Sequence, residues 1–439
     1  MRKTVLALTM VALLAFSGRA SAVIGTIDQV PAATLLLPYF EVNLADPNGI
    51  TTLFSINNAT ATAILAHVEL WGDLSVPVLD FNVYLTGYDV QTINLRDILV
   101  NGALARTASA GQDPTDTISP KGSFSQDINF ASCTGQLPPP PLPSSFIAHL
   151  QTSLTGQFSN ILGGCAGLVY GDNIARGYVT VDAVSNCSLR FPGDIGYFGS
   201  GGTGDATDLN VLWGDYFFVN PGQNYASGDT LVHIEASATN PATSVAGVYT
   251  FYGRYVNWFA TDNREPLSTN FAARFVNGGP FSGGTDFLVW RDSKVQQGVF
   301  KCGTKPAWYP LGQEGIVIFD EQEHPSIPQS FPVSPQPPQE GIIPFPAETQ
   351  RAKVGGVTFP VPYDFGWIFL NLNTTVTVAG SVPPIDPAAA QAWVSVVMSA
   401  EGRYSVGYDA VQLDTAAAVC PPTGGICASG ANHLNPGGL

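Results

Sequence analysis

Positive charge is scarce in this 439-residue chain: 18 lysines and arginines stand against 34 acidic residues, a formal net charge of −16. A surface of that sign repels phosphate backbones and anionic lipid heads, so nucleic acid is not an expected partner. Charged residues of both signs make up only 12% of the chain, and histidine occurs five times. No apolar run is long enough for a membrane-spanning helix. The familiar catalytic signatures are missing as well. There is no Walker-type phosphate loop and no Cys-x-x-Cys pair, and the nearest approach to a nucleophile elbow, Arg403-Tyr404-Ser405-Val406-Gly407, has arginine where the first glycine belongs.

What is abundant is turn and strand material. Glycine occurs 46 times and proline 34 times, in a background rich in Thr, Val, Ser, Asn and aromatics. That balance favours many short strands joined by turns. The expected fold is mainly β, an antiparallel β-sandwich architecture of two packed sandwiches with long Pro/Gly-rich loops.

The first residues carry a basic start (Arg2, Lys3), an apolar run from Val5 to Phe16 and a small-residue exit at Ala20-Ser21-Ala22. This is the layout of a secretory signal peptide cut after Ala22, residues 1–22, and Val23 in place of cysteine argues against a lipid anchor. Its removal takes the net charge to about −19. The expected address is secreted, periplasmic or on the outer surface. Six cysteines, at Cys133, Cys165, Cys187, Cys302, Cys420 and Cys427, point in such a compartment to disulfides. Cys420 with Cys427 is the pairing the sequence favours, because Pro421, Pro422, Gly424 and Gly425 suit a compact loop.

Period-two alternation runs through Thr62 to Trp71 and Leu79 to Leu85, with turns at Asn57-Asn58 and Gly87-Tyr88-Asp89, and predicts half-buried strands in an N-terminal sandwich over 23–135. Asn94 to Leu99 reads as one helical turn. A Pro-rich linker follows at 136–143, and Ser144 to Leu154 has helical spacing. A larger β-rich domain spans 144–419, with strands at 167–184, 211–219, 230–236, 245–259, 271–276, 287–290, 367–372, 392–398 and 404–413. It carries a Pro-rich insert at 325–346, and 420–439 is a Cys-bearing loop and flexible tail. One tetrapeptide recurs, Leu70-Trp71-Gly72-Asp73 as Leu212-Trp213-Gly214-Asp215. Leu36-Leu37-Pro38-Tyr39-Phe40-Glu41-Val42 with Thr51-Thr52-Leu53-Phe54-Ser55 resembles exported bacterial proteins of unassigned role. That resemblance covers the N-terminal third and implies the compartment alone.

The aromatic and arginine residues concentrate between Thr250 and Asp292, a stretch without lysine. Arg254, Arg264, Arg274 and Arg291 beside Asp262, Glu265, Asp286 and Asp292 predict a semi-buried ion network, since the planar guanidinium fork suits carboxylates in partly dry surroundings. As a binding groove, the same stretch would use Tyr252, Arg254, Tyr255, Trp258, Arg264 and Trp290, with a protein or glycan of the envelope or extracellular space as partner. Asp262 and Glu265 would then be the acid and base, if their carboxyls stand roughly 5 to 9.5 Å apart. Two His-x-Glu pairs, His67 with Glu69 and His233 with Glu235, put imidazole and carboxylate on one strand face and could hold a divalent metal if their strands were neighbours. The Gly199 to Asn210 loop, with Asp205 and Asp208, offers oxygens of the kind Ca2+ takes. No cofactor is certain. These features point to an exported, non-catalytic structural, adhesive or ligand-binding protein, with a secreted glycan hydrolase acting through carboxylates or a metal as the alternative.

Overall fold

The computed structural model describes residues 30–105, 130–244, 249–256, 261–326, 343–374 and 390–413. The signal peptide, Trp258, most of the 325–346 insert and the Cys420–Cys427 pair lie outside the described residues.

Nineteen strands are described, and they form four antiparallel sheets packed in pairs. The first ten are β1 (Thr34–Asn43), β2 (Thr51–Asn58), β3 (Ile64–Gly72), β4 (Pro77–Leu85), β5 (Val90–Asn94), β6 (Ile174–Val184), β7 (Leu212–Trp213), β8 (Asp215–Asn220), β9 (Tyr225–Thr230) and β10 (Val232–Ile234). They make a sheet ordered β10-β1-β6-β3-β4 and a second ordered β5-β2-β8-β9, with β7 against β2. The inner faces meet through Leu35, Val68, Val181, Phe54, Ile56 and Phe218, all buried.

The 23–135 unit is therefore not closed on itself. Its β1 takes β6 and β10 as neighbours and its β2 takes β8, so strands from both sides of 136–143 share both sheets. Pro38, which lacks a backbone N–H, sits where the β1–β6 register shifts between Leu37 and Phe40.

The remaining strands are β11 (Asn270–Val276), β12 (Gly284–Arg291), β13 (Gln313–Phe319), β14 (Pro325–Ser326), β15 (Thr349–Lys353), β16 (Phe365–Thr374), β17 (Ala392–Ala400), β18 (Tyr404–Asp409) and β19 (Val411–Gln412). They form sheets ordered β14-β13-β16-β11-β19 and β15-β12-β17-β18 around Phe271, Phe287, Val289, Ile318, Ile368 and Val394. The two sandwiches touch edge to edge. Ser405 Oγ donates to Ala226 O, and a Cβ on Gly407 would stand 3.0 Å from Gly228 O.

Two helices close the first sandwich. α1 (Leu95–Asn101) starts because the Asn94 side chain accepts from Arg96 N, and stops at Gly102, whose φ of 69° lets its N–H return to the last turn. α2 (Ser144–Leu154) follows Pro143 and buries His149, Leu150, Ser153 and Leu154. Cys133 is joined to Cys187, and Cys165 to Cys302.

Two expectations are corrected. The β3 strand is buried along its whole length, not half-buried, because loops cover the outer face of its sheet. Within 245–259, the described residues 249–256 are successive turns and no strand: Gly253 N bonds Thr250 O and Tyr255 N bonds Tyr252 O, each at 2.8 Å. The aromatic content that reads as strand instead sends rings in several directions into a junction.

Candidate functional site

The covered face of the first sheet carries two polar rows, each assembled by strand register. One runs Ile234, Thr34, Asp182, His67, Asn82 across β10, β1, β6, β3 and β4, and the next runs Val232, Leu36, Thr180, Glu69, Asp80. Paired residues share a face, so polar side chains far apart in sequence are stacked in one layer. Asp182 accepts from Thr34 Oγ1, from Tyr197 Oη at 2.6 Å and from Tyr252 Oη at 3.0 Å. Arg264 lies above it, 3.5 Å from Asp182, and donates to Thr34 Oγ1 at 2.7 Å and to the carbonyls of Asp262 and Thr207. With its donors aimed at these acceptors, a fully buried guanidinium is accommodated.

His67 Nε2 stands 3.3 Å from Glu69 Oε1 and 4.0 Å from Asp80, while Nδ1 meets Asn82 Oδ1 at 3.1 Å. Burial pulls the imidazole toward its neutral form, but Glu69 and then Asp80 overcome this and raise its pKa to about 9. Burial likewise lifts Glu69 to about 8.

A second knot joins the sandwiches. Arg254 Nη1 lies 2.9 Å from both carboxylate oxygens of Glu348, just before β15, and 3.5 Å from Asp292, just after β12. Its Nη2 donates to Ser75 Oγ at 3.0 Å, and Tyr178 Oη donates to the same hydroxyl at 2.8 Å. Burial opposes charge on Arg254, yet Glu348 and Asp292 hold it protonated well above its usual range. Rings pack around this clamp. Trp71 stacks on Tyr178 at 5.7 Å, Phe251 on Trp290 at 5.4 Å, and Tyr178 meets Trp290 edge-on at 6.1 Å. The groove reading of Tyr252, Arg254, Tyr255, Arg264 and Trp290 is corrected accordingly. Tyr255 is half-buried, the other four are buried, and together they seal the junction.

The remaining candidates separate. His233 pairs in a row with Leu35, Val181 and Val68, one residue out of step with His67, and so faces the opposite side of the sheet. Two strands also intervene between β10 and β3, so His67, Glu69, His233 and Glu235 do not converge. Among the described residues, no group of three His, Cys, Asp or Glu side chains is arranged to hold a metal ion. Asp205 is bonded by Arg190 at 2.7 Å, and Asp208 by Asn263 at 2.9 Å with Arg264 at 3.9 Å, so the two carboxylates of the glycine-rich loop face donors. Asp262 accepts from Thr250 Oγ1 and from Tyr252 N, and burial raises it to about 6. Glu265 accepts from Glu235 N at 3.1 Å.

The arginines of the expected network divide. Arg274 is exposed, and its carboxylate neighbour, Glu321, is 3.8 Å away. Arg291 is fully buried and donates to the carbonyls of Leu372, Phe345 and Gly312, with its pKa lowered by burial to about 9. Asp286 pairs with Arg351, which reaches Glu41 of β1 at 3.1 Å.

Residues the sequence did not single out do much of the work. Glu348 and Ser75 receive Arg254, and Gln391 donates to Thr250 O, Phe251 O and Asp292 while accepting from Leu267 N. Asp182 alone had a visible signal, a carboxylate within the apolar run Val179 to Val184 interrupted otherwise by Thr180. Comparison with family models, with curated proteins and with solved structures finds no match to this chain. Among the described residues, no helix is long and apolar enough to cross a membrane.

Proposed function

We propose that the chain is an exported, non-catalytic β-sandwich protein, acting in the cell envelope or outside the cell as a structural, adhesive or ligand-binding component. The observation that supports this reading most is the fate of its best acid–base candidates. Asp262 and Glu265 each accept from a backbone amide, and Asp262 is fully buried. A general acid has to reach its substrate within hydrogen-bonding distance. The arginines above them brace the fold instead of lining a cleft. Two disulfides among the described residues suit an oxidising compartment, where thiols do not stay reduced.

Reducing-end release from a panel of polysaccharides tests the reading, using wild type and Glu265→Gln with melting curves alongside. The expected outcome is no release by either protein. Release by wild type that disappears in a folded Glu265→Gln would make the protein a hydrolase.

A further inference from the structure

One cavity has no part in the junction. It opens where β2, β7 and β10 approach the turn before β5, has a volume of about 560 Å3, and is lined by Asn57, Asn58, Tyr88, Asp89, Trp213 and His233 among others. We propose that it binds a neutral sugar ring, with Trp213 as the stacking platform and Asn57 as a hydrogen-bond acceptor in its wall. The proposal deepens the ligand-binding reading above and rests on it.

The platform comes first. Trp213 belongs to the second copy of Leu-Trp-Gly-Asp. In the first copy Trp71 is 1% exposed and its indole N–H bonds Thr180 Oγ1 at 2.9 Å, whereas Trp213 is 42% exposed. Pairing of Asn57 with Trp213 and of Asn58 with Leu212 fixes the backbone that presents the ring. The face of an indole is electronegative, so it attracts the C–H bonds on one side of a pyranose, which carry partial positive charge. Tyr88, 58% exposed, adds a second ring from a residue in the left-handed region at φ 57°. Non-glycine residues seldom sit there, and such positions cluster at ligand sites.

The acceptor is an independent observation. Asn57 is 1% exposed, and its Nδ2 donates to Ser55 Oγ at 2.9 Å and to Trp213 O at 3.2 Å. Among the described residues its Oδ1 has no hydrogen-bond partner. The amide cannot be turned over, because that would aim an oxygen at the Trp213 carbonyl. An unmet buried acceptor is destabilising, and what satisfies it is an O–H or N–H donor. Sugar hydroxyls are such donors.

Charge narrows the class. His233 gives Nδ1–H to Val30 O at 2.8 Å and accepts from Gly214 N, and burial lowers its pKa, so it is neutral at pH 7. Among the described residues of the lining Asp89 is the one acidic residue, and its oxygens accept from Thr86 N and Val90 N of its own turn. With a chain charge of −16, uronic or sialic acids are disfavoured against neutral hexoses. The volume lies within the roughly 300–1,000 Å3 usual for small-ligand sites.

Tryptophan fluorescence and saturation-transfer NMR with maltotetraose, cellotetraose and chitotetraose, each to about 10 mM, test the proposal. We expect at least one to bind with Kd between about 10 μM and 1 mM. Trp213→Ala should weaken that binding by about tenfold or more, Trp213→Phe should retain most of it, and Tyr404→Ala, on the second sandwich, should leave it unchanged. The exposed position of Trp213 makes its variants tolerable to the fold, and their melting temperatures confirm it. Binding by none of the three sugars, or binding indifferent to Trp213→Ala, overturns the proposal and leaves the scaffold reading standing. Reducing-end release during the titration overturns the non-catalytic reading instead.

Discussion

Arg264 Nε donates to the hydroxyl of Thr34 at 2.7 Å, and that hydroxyl in turn donates to Asp182. One oxygen thus links a buried cation to a buried anion held 3.5 Å away. Thr34→Val keeps the shape and removes the link, leaving one Arg264 donor and one Asp182 acceptor short of a partner. The expected loss is about 1–3 kcal/mol in urea unfolding, with Thr34→Ser losing less than half as much. Equal stability of Thr34→Val and wild type would contradict the assigned network.

The direction of pH dependence follows from burial. Asp73 and Asp409 are pushed up to about 7, Asp262 to about 6 and Glu69 to about 8, all by burial first. In the unfolded chain carboxyls titrate near about 4. Between those values the folded state binds more protons, so stability is complete below about pH 4 for these groups and is lost as pH rises through about 6 to 8. His67 lies 3.3 Å from Glu69, so the two titrate as one pair that holds more protons folded than unfolded and acts in the same direction. Buried His149 and His233, lowered by desolvation, oppose this only below about 6.5. The melting temperature should therefore be higher at about pH 5 than at about pH 8.5. A midpoint that rises over that interval would be the wrong sign.

Cys165 and Cys302 are separated by 137 residues, and their bond ties the approach to β6 to the loop after β12. Long loops gain most from closure in the chain-entropy account, and removing such a bond costs about 2–5 kcal/mol. Cys165→Ala with Cys302→Ala should lower the urea midpoint accordingly. The Cys133–Cys187 pair closes a loop of 54 residues, and its removal should cost somewhat less.

Local pattern made some of this legible in the sequence. α2 was readable because Phe146, Ile147, Leu150 and Leu154 repeat at helical spacing, and β3 and β4 because their residues alternate. Arg254 and Arg264 stood out by type, but type does not distinguish a groove from a seam. The two His-x-Glu pairs show where local reading stops: identical spacing gives opposite faces once register differs by one residue. Glu348 was illegible for a related reason. It follows a proline-rich insert, carries no local pattern, and meets Arg254 across 94 residues of chain.

The central claim is that the arginine-rich segment is a structural clasp between two sandwiches. Scanning calorimetry of Arg254→Met beside wild type tests it most directly, because the substitution fills the space but strands Glu348 and Asp292 without their cation. A cost of about 3–5 kcal/mol, spread over a chain of this size, corresponds to a midpoint lowered by about 4–6 °C. A midpoint within about 1 °C of wild type would contradict the clasp.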